Sequence, residues 1–218
     1  MNSKLHQVRN GLRFARSLAL GLNRGDFFPS DGRRVPKPAP QGSDEATPEG
    51  GLISRLRGEA GWFMRSHHQI AIPGIHRPIR VLHLTDVHIR TPCEWLDQRC
   101  ADLVNETPDL VAITGDVVTK GWTNAAVQQF LSAIPEAPLG RFAVLGNWEH
   151  WTGADPETWT RLCSDHGIEV LNNRWVQRES LVIAGTDDWL SGSPDIESAL
   201  RDIPPDTPTL VLTHSPGL

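Results

Sequence analysis

Five short apolar runs constrain this chain more than any other feature: IRVLHLT (79–85), DLVAIT (109–114), RFAVL (141–145), SLVIAG (180–185) and TLVLT (209–213). Each is short and rich in aliphatic residues, so each reads as a buried strand, of the kind covered on both faces. Between them, Cys93 to Glu106 places Trp95, Leu96 and Leu103 at helical spacing, and Thr123 to Ala133 does the same with Val127, Phe130 and Leu131. Strands alternating with helices predict an α/β layer architecture. No repeat of fixed period is present beyond that alternation.

The polar residues fall where these runs end. Asp86 and His88 follow the first, Asp116 the second, Asn147 the third, Asp187 and Asp188 the fourth, and His214 the fifth. In an open α/β sheet the carboxyl ends of the strands share one edge, so these side chains are expected to converge on a single crevice. Taken singly, an aspartate after a strand is a turn or N-cap residue. The ordered set is what points to chemistry. It offers carboxylates, imidazoles and an amide but no thiolate, a mixture suited to divalent Mn, Fe or Zn. Two aspartates, two histidines and an asparagine have the makings of a two-metal site, in which paired cations clamp a phosphate and lower the pKa of a bound water.

The segments LTDVH (84–88), TGDVVTKG (114–121), LGNWEH (145–150) and LTHSP (212–216), in this order, resemble the calcineurin-like metallophosphoesterase superfamily. The run from Ile70 through His88 also resembles the start of its bacterial small phosphodiesterase branch. The resemblance implies a four-layer α/β/β/α sandwich and a metal-dependent phosphoesterase, in particular a phosphodiesterase, that hydrolyses its substrate with a water activated between two divalent cations. It implies that Asp86 and His88 bind the first metal, that Asp116 bridges both, and that Asn147 and His214 bind the second. Asp187 and Asp188 have no ligand position in the family pattern and are assigned to the loop.

The chain departs from the pattern in two places. Where the family has G-N-H, this sequence has Gly146, Asn147 and Trp148, so the imidazole that serves the phosphate in relatives is missing. If the chain stays extended after Asn147, residues 148 and 150 share a side, and His150 is expected to supply that imidazole as a catalytic residue; the alternative is a surface histidine. The family pattern also continues to a G-H-x-H that is not found before Leu218. The expectation is therefore a domain whose C-terminal part is missing, in a form that need not be active. A non-catalytic metal-binding or scaffolding protein with the same fold, marked by Trp148, is the alternative function. Glu149 occupies the family's Asp/Glu position, either orienting its neighbours or lying on the surface. His83 is read as a core or supporting histidine, and His67, His68 and His76 as solvated.

The 218 residues are not of one kind. Residues 1–37 hold eight basic residues against two acidic ones, whereas the remainder holds 13 basic against 24 acidic. That acidic body argues against nucleic acid as a partner, because such binders carry a basic footprint. Residues 1–28 place Leu5, Val8, Leu12, Ala15, Ala19 and Leu22 on one stripe of a basic amphipathic arm. The arm offers contact to an anionic membrane or a protein; the same composition also describes a solvated extension. Residues 29–51, with five prolines and four glycines, read as a disordered linker, residues 52–65 as a short helical segment, and 66–218 as the phosphoesterase domain. Residues 1–28 lack a signal-peptide apolar core and no run is long enough to span a bilayer, which predicts a cytoplasmic protein, peripheral at the membrane at most. Cys93, Cys100 and Cys163 form no C-x-x-C pair and suggest neither a disulfide framework nor a thiolate metal site.

Overall fold

The computed structural model describes residues 44–48 and 62–215. The amphipathic arm at 1–28 lies outside the described residues, as does the linker at 29–51 apart from 44–48. Two compact units are present, divided between Ile70 and Ala71. Within the first, strand β1 (Asp44–Pro48) pairs antiparallel with β2 (Trp62–Ser66). This corrects the expectation of linker at 44–48 and of helix up to residue 65. Consecutive aromatics at Trp62 and Phe63 favour extended backbone over helix.

The second unit carries two sheets. The first has four parallel strands in the order β3 (Val81–Leu84), β4 (Leu110–Thr114), β5 (Arg141–Val144) and β6 (Glu169–Val170). The second orders β7 (Arg174–Arg178), β8 (Leu181–Gly185) and β9 (Thr209–Leu212), with β7 antiparallel and β9 parallel to β8. The five apolar runs thus all form strands, but they divide between two sheets. The expectation of burial on both faces holds for β4 and β8, every residue of which is buried. It fails for β3 and β9, which are edge strands and leave Val81 and Val211 exposed.

Alternation along β4 shows how the layers are glued. Val111 and Ile113 face one cluster with the helices, while Leu110 and Ala112 face another with Phe142, Val144, Leu181, Ile183 and Leu212. The second cluster is the seam between the sheets. Helix α1 (Glu94–Leu103) brings Leu96, Cys100 and Leu103 to the first sheet's outer face, and α2 (Asn124–Ala133) brings Val127, Phe130 and Leu131. The Thr123 hydroxyl caps α2 by accepting the Ala126 N–H.

A five-residue helix, α3 (Asn147–Trp151), follows β5 directly, and α4 (Pro156–Ser164) buries Trp159, Leu162 and Cys163. The second sheet is covered by the short α5 (Ile196–Leu200), whose Ala199 is buried. The result is the expected mixed α/β layered sandwich. Among the described residues, no helix is long and apolar enough to cross a membrane.

Candidate metal centre

The site begins where β3 and β4 run out of regular ladder. Beyond the strands their backbones stay joined: the Asp86 N–H donates to the Gly115 carbonyl, His88 N–H to Asp116, and Ile89 N–H to Val117. Asp86, His88 and Asp116 all adopt left-handed backbone angles, with φ of 55°, 55° and 54°. Such a conformation costs a non-glycine residue roughly 1 kcal/mol and persists only where the surroundings over-determine it. Gly115, at φ 85°, and Gly146 allow the β4 and β5 ends to meet. A Cβ on Gly115 would strike the Gly146 backbone, and one on Gly146 would strike the Asp116 carboxylate.

These turns bring together carboxylate oxygens of Asp86 and Asp116 and a ring nitrogen of His214, all within 4.8 Å of one another. Asp116 is the hub. Its side chain is 6% exposed, its Oδ2 lies 3.3 Å from His214 Nε2 and 3.9 Å from His88 Nε2, and its Oδ1 accepts the Trp148 N–H at 2.9 Å. His88 Nε2 stands 4.0 Å from Asp86 Oδ1, beside the three. His214 reaches across from the second sheet. Its Nδ1 donates to the Thr114 carbonyl at 2.8 Å, which leaves Nε2 facing the carboxylates, the orientation a metal-binding histidine takes when its other nitrogen is held. Burial would lower the His214 imidazole, but the hydrogen bond and charge of Asp116, with Thr114 and Asp86, outweigh it and carry the pKa up to about 9. The pocket of negative charge thus holds a proton where a cation would compete for the same nitrogen. Two carboxylates and imidazole Nε2 atoms form a donor set that fits a divalent ion.

Of the five ligands the sequence points to, Asp86, Asp116 and His214 meet, and His88 flanks them. Asn147 opens α3, with its neighbours Gly146 and Trp148 both against Asp116. His150 does not follow expectation. Residues 147–151 are helical, so 148 and 150 no longer share a side. The His150 ring turns instead to Asp187, with Nε2 2.8 Å from Oδ1. Asp187 and Asp188 do serve the loop, as read from the sequence. Asp187 accepts the Ser193 and Asp188 N–H groups, and Asp188 those of Leu190 and Ser191 and the Ser215 hydroxyl beside His214. His83, whose pKa burial lowers, is a supporting residue whose Nε2 lies 2.7 Å from the Thr114 hydroxyl.

Glu149 is the residue the sequence undervalues. It is wholly buried behind the site, and its two oxygens accept four backbone N–H groups. Oε2 takes those of Asp116 and Gly146, both at 2.8 Å; Oε1 takes those of Val117 at 2.8 Å and Val118 at 3.2 Å. Burial pushes its carboxyl upward, with Asp116 adding to the rise, against the pull of the Gly146, Asp116 and Val118 amides. One carboxyl therefore holds the left-handed turn at Asp116 to the start of α3. The available signal was its position three residues after Gly146, the spacing of a helix N-terminus closed by a glutamate.

Known proteins resemble this chain in sequence. An uncharacterized metallophosphoesterase of Aquifex aeolicus is 37% identical over 115 residues, covering 50% of this chain and 42% of its own length. A transmembrane protein with metallophosphoesterase domain of Danio rerio is 30% identical over 159 residues, covering 63% and 35%. The uncharacterized metallophosphoesterase YkuE of Bacillus subtilis is 25% identical over 146 residues, covering 63% and 51%. The chain thus spans between about a third and a half of the length of these relatives. The pattern of the calcineurin-like phosphoesterase family matches residues 79–218, from β3 through His214. With Asp86, His88, Asp116 and His214 on the turns that this pattern covers, the chain belongs to the calcineurin-like phosphoesterase family.

Proposed function

We propose that the protein is a metal-dependent phosphodiesterase in which Asp86, His88, Asp116, Asn147 and His214 hold two divalent cations of the Mn, Fe or Zn kind. The observation that carries this reading is the meeting of Asp86, Asp116 and His214 within 4.8 Å, two of the three on left-handed backbone. When bound, such cations make a water nucleophilic at neutral pH and neutralise charge on a phosphate. The chain's own residues prepare the place. The Trp148 N–H fixes one Asp116 oxygen and leaves the other toward His214 and His88. Thr114 sets the His214 tautomer, and Glu149 pins the backbone that carries Asp116. Asp116, nearest the centre of the group, takes the bridging role. A diester as substrate is supported by the likeness of residues 70–88 to small phosphodiesterases.

Calorimetric titration with Mn²⁺ and hydrolysis of bis-p-nitrophenyl phosphate test this reading together. Two Mn²⁺ bound per chain, turnover that follows occupancy, and loss of both in Asp116→Ala are the expected results. Failure to bind Mn²⁺, Fe²⁺ or Zn²⁺ would refute it. A second reading, metal and phosphate binding without turnover, is favoured by one observation: Trp148 replaces the family's histidine and His150 is turned to Asp187. Stoichiometric Mn²⁺ binding with no hydrolysis of either mono- or diester would select it.

A further inference from the structure

We infer that Trp148 and Trp151 form an aromatic ledge at the metal site that seats a planar aromatic ester group of the substrate. This rests on the proposed metal site and adds to it the chemistry of the group beside the phosphate. Trp148 packs edge-on against His88, ring centroids 5.8 Å apart at 85°, and Trp151 packs against Trp148 at 5.7 Å and 65°. The row of rings therefore begins at a metal-binding side chain and leads outward. Trp151 is 57% exposed at its far end.

An exposed tryptophan alone means little, since scattered apolar residues are ordinary on protein surfaces. Here the indoles are joined to one another and to the site. The His150–Asp187 hydrogen bond also ties α3 to the loop that carries Trp189 and Leu190, each 47% exposed. Two indoles inclined at 65° form a corner that offers a third ring the face of one and the edge of the other, the offset and edge-to-face arrangements that aromatic rings prefer. A saturated group gains only general apolar contact there. Trp148 thus replaces an imidazole with a recognition surface, while its backbone N–H keeps Asp116 in place.

The test compares dissociation constants of methylphosphonate, cyclohexylphosphonate and phenylphosphonate for the Mn²⁺-loaded protein, measured by calorimetry. Phenylphosphonate should bind roughly tenfold more tightly than methylphosphonate and more tightly than cyclohexylphosphonate. In Trp151→Ala, an exposed position where folding tolerates change, the phenyl-to-methyl ratio should fall to within about twofold of one. Equal binding of methyl and phenyl compounds overturns the ledge and leaves the metal site standing. Cyclohexyl binding equal to phenyl overturns the aromatic preference, as does a ratio that survives in Trp151→Ala. If none of the three binds, the metal-phosphate reading falls and the ledge with it. Sedimentation with phosphatidylcholine vesicles that depends on Trp151, in the absence of any phenyl preference, would assign the indoles to a lipid surface instead.

Discussion

Replacing Glu149 by Gln tests whether one buried carboxyl organises the metal site. Each of its oxygens accepts two backbone N–H groups, Asp116 with Gly146 on one side and Val117 with Val118 on the other. Glutamine is nearly the same shape but has one oxygen and one NH₂. Whichever way the amide is placed, the NH₂ faces two backbone donors that lose their acceptor. A buried donor left unsatisfied costs about 1–3 kcal/mol, so two cost about 2–6 kcal/mol. Some of this returns, because burial already disfavours the charged carboxylate and the variant removes that charge. The net expectation is about 3 kcal/mol. For a protein of this size that lowers the melting temperature by about 10 °C, read by circular dichroism on the metal-free protein.

Stability is only half of the argument. The N–H groups that Glu149 gathers include that of Asp116, which sits on left-handed backbone and carries the shared carboxylate. Loosening this turn should weaken Mn²⁺ affinity by about 10- to 100-fold, the range for residues that orient metal ligands without touching the metal. Glu149→Asp, too short to span both pairs, should fall with Glu149→Gln. A Glu149→Gln protein that melts within about 2 °C of the parent and binds Mn²⁺ equally well would refute the reasoning. It would mean that the turn is held by the strands alone.

Two further predictions follow from the same geometry. His214 is held up to about 9 in the folded, metal-free chain, above its ordinary value. Its protonated form therefore contributes stability that is fully present below pH of about 6.5 and is lost as pH rises through about 9, roughly 3 kcal/mol in all. Melting of the metal-free protein should fall across that window, and Mn²⁺ binding at pH 7.5 should release about one proton at this residue, measured by calorimetry in buffers of different ionisation enthalpy; a flat profile and no buffer dependence would contradict the pairing with Asp116. Gly146→Ala should cost about 1–3 kcal/mol and weaken Mn²⁺ binding, because its Cβ would meet the Asp116 carboxylate and the backbone must shift.

Much of the candidate site was legible because its proposed ligands stand where strands end, and the strands are announced by short aliphatic-rich runs. Asp86, Asp116 and His214 could be named from that rule alone. Their arrangement into two sheets could not, because β6 is two residues long and β7, Arg174–Arg178, shows no continuous apolar pattern. The edge position of β3 was hidden for a related reason: VLHL and LVAIT both read as strands, and only the pairing order decides which of them is exposed on a flank. The helix at 147–151, where extension is expected, has a more local cause. Gly146-Asn147-Trp148-Glu149 carries a helix-start signal that overrides extension. That signal and the function of Glu149 are one fact. The carboxyl that closes the first turn of α3 also collects the amides of the β4 turn, so the helix that carries His150 is the same device that holds Asp116 on left-handed backbone. An extended segment could have offered an imidazole at 150 only by giving up the support of the residue on which the proposed centre depends.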